Sequence, residues 1–311
     1  MTDQPKEEIP SGEIDMAGLS SKLRLDSTLG KGASGIVMAG MWLPTNKPVA
    51  VKKMLLRPDH SQHLKEIREE LSICMKFDNP HVCKVFCYAV ATSSVYIIME
   101  YIEGMNLLLF LKTQQHFFIQ NPKSFWIFAR ALLTSLEHIH SLGIVHCDFK
   151  LENIMLGMLE DKITCIKLVD FGFCRQVDEA ASFEGGTITY IAPEIALDCA
   201  EGSLRDIWAT GILFFELVTF SIPYQLQSKL PYGRLMIDEV MEKLRALGSL
   251  PSDQPFDPFS HPTRKYSAVL PEVKAFIRSC LVVDQKSRPS AAFLKQRVLE
   301  ILSSFDAKSK A

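Results

Sequence analysis

Short apolar runs of strand length order the first part of the chain, and helical spacing orders the rest. Lys22–Leu29, Gly35–Trp42 and Val49–Leu55 read as three strands, with Pro44-Thr45-Asn46 marking a hairpin turn between the second and third. His63–Phe77 has helical spacing, with Leu64, Ile67, Leu71, Cys74 and Met75 on one face. Val82–Val90 and Val95–Tyr101 add two strands. From Leu107 the pattern predicts helices over Leu107–His116, Ser124–Leu142, Arg205–Thr219, Leu235–Leu247, Pro271–Cys280 and Ala291–Ser303. Short strands at Ile154–Leu156 and Ile166–Val169 fall between the second and third of these. The expected class is therefore α+β. A small antiparallel five-stranded lobe with one helix spans 21–98, a hinge 99–104, and a large, mainly helical lobe 105–301. Residues 1–20 are acidic and carry Pro5, Pro10 and Gly12, so they read as a disordered tail; 302–311 read as a short C-terminal tail.

Composition narrows the picture. A chain of 311 residues with 47% hydrophobic content can bury a sizeable core. A net charge of −2 leaves no electrostatic footprint for nucleic acid or an anionic membrane, so neither is expected as a partner. The eight cysteines lack paired zinc-type spacing, and no secretory apolar stretch opens the chain. Reduced thiols in a cytoplasmic or nuclear setting are expected. The apolar stretch Ile207–Ile222 is interrupted by Glu216, preceded by Asp206 and ended by Pro223, which predicts a buried helix rather than a membrane span.

The chemistry concentrates in His146-Cys147-Asp148-Phe149-Lys150-Leu151-Glu152-Asn153, followed after an apolar strand by Asp170-Phe171-Gly172. Phosphoryl transfer from ATP needs these groups: Asp148 to orient a hydroxyl and accept its proton, Asn153 and Asp170 as oxygen ligands for Mg²⁺, and Lys150 as a cation for the moving phosphate. Gly30-Lys31-Gly32-Ala33-Ser34-Gly35-Ile36-Val37 joins two strands, where glycines let backbone N–H groups approach phosphates. Lys52 in Val49-Ala50-Val51-Lys52 is costly to bury unpaired and calls for a phosphate and a carboxylate partner. Glu70 on the following helix is the choice for that carboxylate, with Glu66 one turn back as runner-up.

Taken together and in this order, these motifs resemble the eukaryotic protein kinases of serine/threonine type, over about residues 21–301. Ala192-Pro193-Glu194, Asp206-Ile207-Trp208-Ala209-Thr210-Gly211 and Arg288-Pro289 extend the match. The resemblance implies a two-lobed protein-kinase-like fold binding ATP and Mg²⁺, acting as a monomer on protein serine or threonine. It implies that Lys52 holds phosphates and pairs with Glu70, that Asp148 is the catalytic base with Lys150 beside it, and that Asn153 and Asp170 bind the metal. It further implies that Gly30, Gly32 and Gly35 cover the nucleotide, that Val37, Ala50 and Met155 sandwich adenine, that Met99 is the gatekeeper, and that Glu100–Ile102 supply hinge backbone hydrogen bonds. Arg288 is expected to pair with Glu194, and Thr187 to bond Asp148 and Lys150. Glu152 and Glu216 match positions that bind an arginine upstream of the acceptor. A large residue at the position of Phe173 accompanies serine selection in the family, so the resemblance implies serine over threonine as acceptor.

The chain departs from the family pattern at Cys147, where regulated members carry an arginine that gathers an activation-segment phosphate. Asp178, Glu179 and Glu184 are candidates to replace such a phosphate, Ser182 is the nearest site for one, and Arg175 is the nearby cation. Cys74 stands where a larger residue would stack on Phe171, in a column Val85–Cys74–Phe171–His146. The alternative function is a catalytically weak pseudokinase serving as a nucleotide-binding scaffold.

Overall fold

The structure, a computed structural model, describes residues 8–32, 35–57, 59–177, 187–197, 202–224, 234–249, 256–260 and 264–308. The chain divides into two units, Met1–Gly104 with Gly157–Lys162, and Met105–Leu156 with Ile163–Ala311. The elements of the first are β1 (Gly12–Ile14), α1 (Met16–Lys22), β2 (Leu23–Gly32), β3 (Gly35–Trp42), β4 (Lys47–Leu55), α2 (His60–Cys74), β5 (Val85–Val90) and β6 (Ser94–Glu100). The strands form one sheet in the order β1-β5-β6-β4-β3-β2. The five expected strands pair antiparallel, and β1 adds a sixth, parallel to β5, with Glu13 opposite Tyr88.

β4 lies in the middle of this sheet, and Val49, Ala50, Val51 and Lys52 are all buried. A strand covered on both faces has no reason to alternate, which is why its sequence is a continuous small-apolar run. Side-chain alternation sorts these residues onto two faces. One face gathers Val49 and Val51 with Trp42, Cys87, Ala89 and Ile98, and Leu19 of α1 closes it. The opposite face carries Ala50 and Lys52, with Val37 of β3 opposite Lys52 and Met99 of β6 opposite Ala50.

The N-terminal expectation needs correction. Residues 12–22 are strand and helix, not a disordered tail. Asp15 caps α1 by accepting the Gly18 N–H at 2.7 Å. Ile9, Ile14 and Met16 pack beside Leu19 on the core of the sheet. The apolar residues are few, but each finds a buried neighbour from a distant part of the chain.

The chain passes through β7 (Gly104–Asn106) into α3 (Leu107–Thr113), α4 (Phe117–Gln120), α5 (Pro122–Ser141), β8 (Ile144–Val145), β9 (Ile154–Leu159), β10 (Lys162–Leu168) and β11 (Arg175–Gln176). It continues as α6 (Pro193–Ala196), α7 (Leu204–Thr219), α8 (Arg234–Gly248), α9 (Arg264–Ser267), α10 (Pro271–Cys280) and α11 (Ala291–Lys308). α7 is buried around almost its whole circumference, as expected of a helix that is apolar all round. Phe214 on α7 meets Phe125 of α5 at 5.5 Å and Phe276 of α10 at 5.9 Å, ring centre to ring centre. Lys123 and Glu137 of α5 pair with Asp306 and Lys295 of α11, fastening the C-terminal helix. Among the described residues no helix is long and apolar enough to cross a membrane. The one-turn helices α4, α6 and α9 are too short to leave a periodic signature in the sequence.

Gly211 lets α7 approach the end of α10. A Cβ there would stand 2.8 Å from the Cys280 Cβ and 2.7 Å from a Leu281 methyl. Gly211→Ala is therefore expected to destabilise the protein by about 1–3 kcal/mol through overpacking, despite its better helix propensity. Denaturant titration of the two proteins checks this, with equal midpoints contradicting it.

Candidate active site

The loop 146–153 is anchored from below by a carboxylate on α7. Asp206 is 1% exposed. It accepts the backbone N–H of His146 at 2.8 Å and of Cys147 at 3.0 Å, and its Oδ2 lies 3.0 Å from His140 Nε2. Burial by itself would raise the Asp206 carboxyl, but the His140 hydrogen bond and charge and the His146 contacts bring it below its ordinary value. The loop needs this anchor because Cys147 sits at φ 65°, a left-handed conformation that costs energy for a residue with a Cβ.

Above the anchor, Asp148 is 4% exposed and its carboxylate is surrounded by donors. Lys150 Nζ lies 2.7 Å from Oδ2, Thr187 donates to Oδ1 at 3.0 Å, and Asn153 Nδ2 donates to Oδ2 at 3.0 Å and to the Asp148 carbonyl at 2.8 Å. Lys150 also donates to Thr187 Oγ1 at 3.0 Å. The expected Thr187 contacts are thus both present. Because Asn153 spends its amide nitrogen on Asp148, its oxygen is turned away from that carboxylate and is available as a hard ligand, so the donor set suits Mg²⁺. The Asn153 carbonyl accepts the Val169 N–H at 2.9 Å, tying the residue before Asp170 to the same loop. Asp170 itself is at φ 60°.

His146 is fully buried between the rings of Phe149, at 5.8 Å, and Phe171, at 5.6 Å. Burial holds its imidazole below the usual histidine range, so it is neutral at physiological pH. Its Nδ1 accepts the Asp148 N–H at 3.3 Å. This gives the His146–Phe171 half of the expected column; Cys74 and Val85 belong to the first unit.

Glu194 and Arg288 form the expected pair, with two bonds of 2.7 and 2.9 Å in the interior. The same guanidinium donates to the carbonyls of Leu204 and Val282, both at 2.9 Å, and stacks over Trp208 at 5.2 Å. With a fifth bond to the Val283 carbonyl at 3.3 Å, all five of its N–H groups are used, which is what makes a buried arginine tolerable. Glu216 of α7 accepts from the Tyr190 hydroxyl. Burial raises the Glu216 carboxyl, and the nearby charge of Glu152 adds to the rise.

In the first unit, Val37, Ala50, Lys52 and Met99 share one sheet face by register, and Lys52 is 9% exposed. Of the candidate glutamates on α2, Glu66 is exposed and engaged with Gln62 at 3.2 Å and Arg57 at 3.9 Å, and Glu69 is exposed beside Lys65 at 3.8 Å. Glu70 is half-buried. Gly35 adopts φ 140° with its α-carbon so close to β4 that a Cβ would fall 2.3 Å from the Lys53 carbonyl, whereas Gly30 and Gly32 have open space where a side chain would be. The Glu100 N–H donates to the Lys84 carbonyl at 2.8 Å. Ile102 is half-buried after β6, and Met155 is half-buried on β9 in the second unit. Asp178, Glu179, Ser182, Glu184 and Gly186 lie outside the described residues.

Three residues that no motif singled out belong to this region. His140 supports Asp206, and Tyr190 meets Glu216. Arg205 lines the same hollow as Cys147, Asp148 and Thr187. The Cys147 thiol is pushed up to about 12, by burial first and by Asp206 next, with Arg205 and Arg175 acting in the opposite sense. A thiol so far from ionisation is a poor redox centre.

The depressed carboxyl of Asp206 makes a signed prediction. A carboxylate whose value is lower in the folded state contributes stability above its unfolded value, about 3.9, and loses it as pH falls further. Asp206→Asn presents an N–H₂ where backbone N–H groups need an acceptor, and should cost about 2–4 kcal/mol at neutral pH. The gap between wild type and variant should narrow below about pH 4. Urea unfolding across pH measures it; a gap that is constant or widens in acid contradicts the account.

Comparison with known proteins agrees with this geometry. Residues 23–299 match the protein kinase domain model. The chain is 31% identical over 232 residues to mitogen-activated protein kinase kinase kinase ANP1 of Arabidopsis thaliana, covering 71% of this chain and 34% of that protein. It is 28% identical over 289 residues to mitogen-activated protein kinase kinase kinase 3 of the same plant, covering 89% and 40%. It is 30% identical over 269 residues to serine/threonine-protein kinase STE20 of Saccharomyces cerevisiae, covering 86% and 26%. The matched region thus spans well under half the length of each of these relatives. With the match covering most of its 311 residues, the chain belongs to the protein kinase family.

Proposed function

We propose that this chain transfers the γ-phosphate of Mg-ATP to serine or threonine hydroxyls of proteins. The observation that carries the reading is the Asp148 carboxylate, buried yet held by Lys150, Thr187 and Asn153. In this reading the carboxylate orients the acceptor hydroxyl and takes its proton. Lys150, bonded to both Asp148 and Thr187, keeps a positive charge beside the transferring group. Thr187 leaves room for a short acceptor side chain. Asn153 through its amide oxygen, and Asp170, would hold Mg²⁺, which when bound neutralises phosphate charge. Lys52 would take the α- and β-phosphates, with Glu70 as its carboxylate. The half-burial of Glu70, against the exposure of Glu66 and Glu69, favours that choice. Gly30, Gly32 and Gly35 would bring backbone N–H groups over the phosphates, and Val37, Ala50 and Met155 would line the adenine site behind Met99. The Glu100 N–H is already spent on Lys84, so Glu100 would contribute its carbonyl and the residues up to Ile102 the donor.

A nucleotide-binding scaffold would need one of these groups to be lost, and Lys52, Asp148, Asn153 and Asp170 all stand in the chain. The seven cysteines among the described residues are free thiols, which supports a reducing, cytoplasmic or nuclear setting.

Asp148→Asn keeps the shape and removes the base. It should slow peptide phosphorylation by about two to four powers of ten with ATP affinity retained. Radiolabel transfer and nucleotide titration test the two halves, and equal turnover by the variant would sink the assignment.

Glu152 and Glu216 support a preference for arginine two residues before the acceptor. Burial first, and the neighbouring Glu152 charge after it, hold the Glu216 carboxyl above its ordinary value, and a guanidinium between the two carboxylates would compensate both. Glu216→Gln should cut the advantage of an arginine peptide over its alanine counterpart by about tenfold, the scale of one charge-assisted contact. A peptide array indifferent to arginine at that position in the wild type would remove the proposal.

A further inference from the structure

Helix α2 carries Glu70 but has little of its own to hold it. The Asp59 side chain at its N-cap makes no capping bond, no acidic residue sits in its first turn, and its buried residues, His63, Ile67, Leu71, Ile73 and Cys74, lie along one side. An isolated helix of this length is marginal in water. A helix held along one side can roll on it, and a roll would swing Glu70.

On its other side, α2 is gripped by the N-terminal strand. Arg68 donates to Glu13 of β1 through Nη2 at 2.7 Å and Nε at 2.9 Å, the two-pronged geometry that fixes orientation as well as distance. The Tyr88 hydroxyl of β5 donates to the same carboxylate at 3.0 Å. Glu13 and Tyr88 are register partners across the parallel β1–β5 pair, so the carboxylate is presented by the sheet. β1 is in turn held down by α1, whose Leu19 is in the core. Successive residues of a helix are turned by about 100°, so Glu70 lies on the side of His63 and Ile73, and Arg68 on the opposite side of the row Ile67, Leu71 and Cys74. A roll that displaced Glu70 would pull Arg68 off Glu13.

We propose that Glu13, Arg68 and Tyr88 form a positioning clamp through which the N-terminal strand sets the orientation of α2, and with it the placement of Glu70 for catalysis. The clamp rests on the kinase reading for its effect on rate, but its effect on α2 stands on its own. The hydrogen bonds from Arg68 hold the Glu13 carboxyl below its ordinary value, so the clamp is charged at neutral pH. It also gives residues 8–22 a purpose: whatever lifts β1 off the sheet edge would release α2.

The test uses the full chain with Glu13→Gln, Arg68→Gln, the exchange of the two charges (Glu13→Arg with Arg68→Glu), and Glu69→Gln as a control on the same helix. Peptide phosphorylation gives kcat and KM, and amide hydrogen exchange gives the protection of residues 61–75. Each single clamp variant should lower kcat and raise exchange in α2 by about three- to tenfold, the scale of one partly exposed ion pair with an added hydrogen bond. KM for the peptide should stay unchanged. The charge exchange should restore part of both, and the control should match wild type. Unchanged exchange in α2 overturns the proposal. So does a uniform rise in exchange over β4, β5 and β6 together with α2, because the pair would then be stabilising the sheet rather than orienting the helix. Wild-type protein without phosphoryl transfer would overturn the kinase reading, and the exchange result would still decide the clamp.

Discussion

The carboxylate of Asp206 accepts two consecutive backbone N–H groups in the interior of the larger unit, and the geometry of the loop 146–153 depends on it. Two adjacent amides can point at one acceptor only if the chain bends sharply between them, and the left-handed Cys147 is that bend. The bend turns His146 inward between Phe149 and Phe171 and turns Asp148 the other way, toward Lys150 and Thr187. A polar group so deeply buried is expensive to leave unsatisfied, so the same carboxylate that shapes the loop punishes departures from it. His140 completes the coordination from α5 and makes the anchor a junction of helix, loop and helix.

The second fixed point is the Arg288–Glu194 pair. It lies outside the reacting groups, yet it connects the segment at Ala192-Pro193-Glu194 to the chain after α10 and, through the Leu204 carbonyl, to the start of α7. α7 thus receives Arg288 at its first turn and supplies Asp206 two residues further on. One buried helix carries both polar anchors, and its apolar flanks, packed through Phe214 on Phe125 and Phe276, keep it from shifting under them. Rigidity at the Asp148 carboxylate is inherited from a hydrophobic core.

Much of this architecture can be read from local pattern. β3 at Gly35–Trp42 and α10 at Pro271–Cys280 run where alternation and helical spacing place them. The candidate site is legible in the same way, because Asp148, Lys150 and Asn153 lie within one short loop, and the structure brings their side chains together. What local pattern misses depends on partners far away in the chain. Residues 12–22 look like an acidic tail because their apolar residues are sparse, and their order comes from burying Leu19 beside Trp42 and Cys87 and from joining Glu13 to Arg68 and Tyr88. The choice between Glu66 and Glu70 has the same character. Helical spacing puts both near one face, and only their surroundings, exposed with Arg57 and Gln62 in one case and half-buried in the other, separate them.

Cys147 shows how a loop can change a side chain without changing its chemistry. The position is used for its backbone: a bend at positive φ and an N–H aimed at Asp206. A β-branched residue would be strained there, whereas an unbranched side chain is borne more easily. The thiol is largely buried, lies 3.8 Å from the Val145 carbonyl, and stays protonated, so it contributes packing and no charge. The positive charge that family members place on this side chain is not missing from the neighbourhood. Arg205 reaches the same hollow from the first turn of α7, and Arg175 approaches from β11, which pairs with β8 immediately before the loop. The residue that makes the bend thus carries no charge of its own, and the positive charge around it comes from residues that do not make the bend.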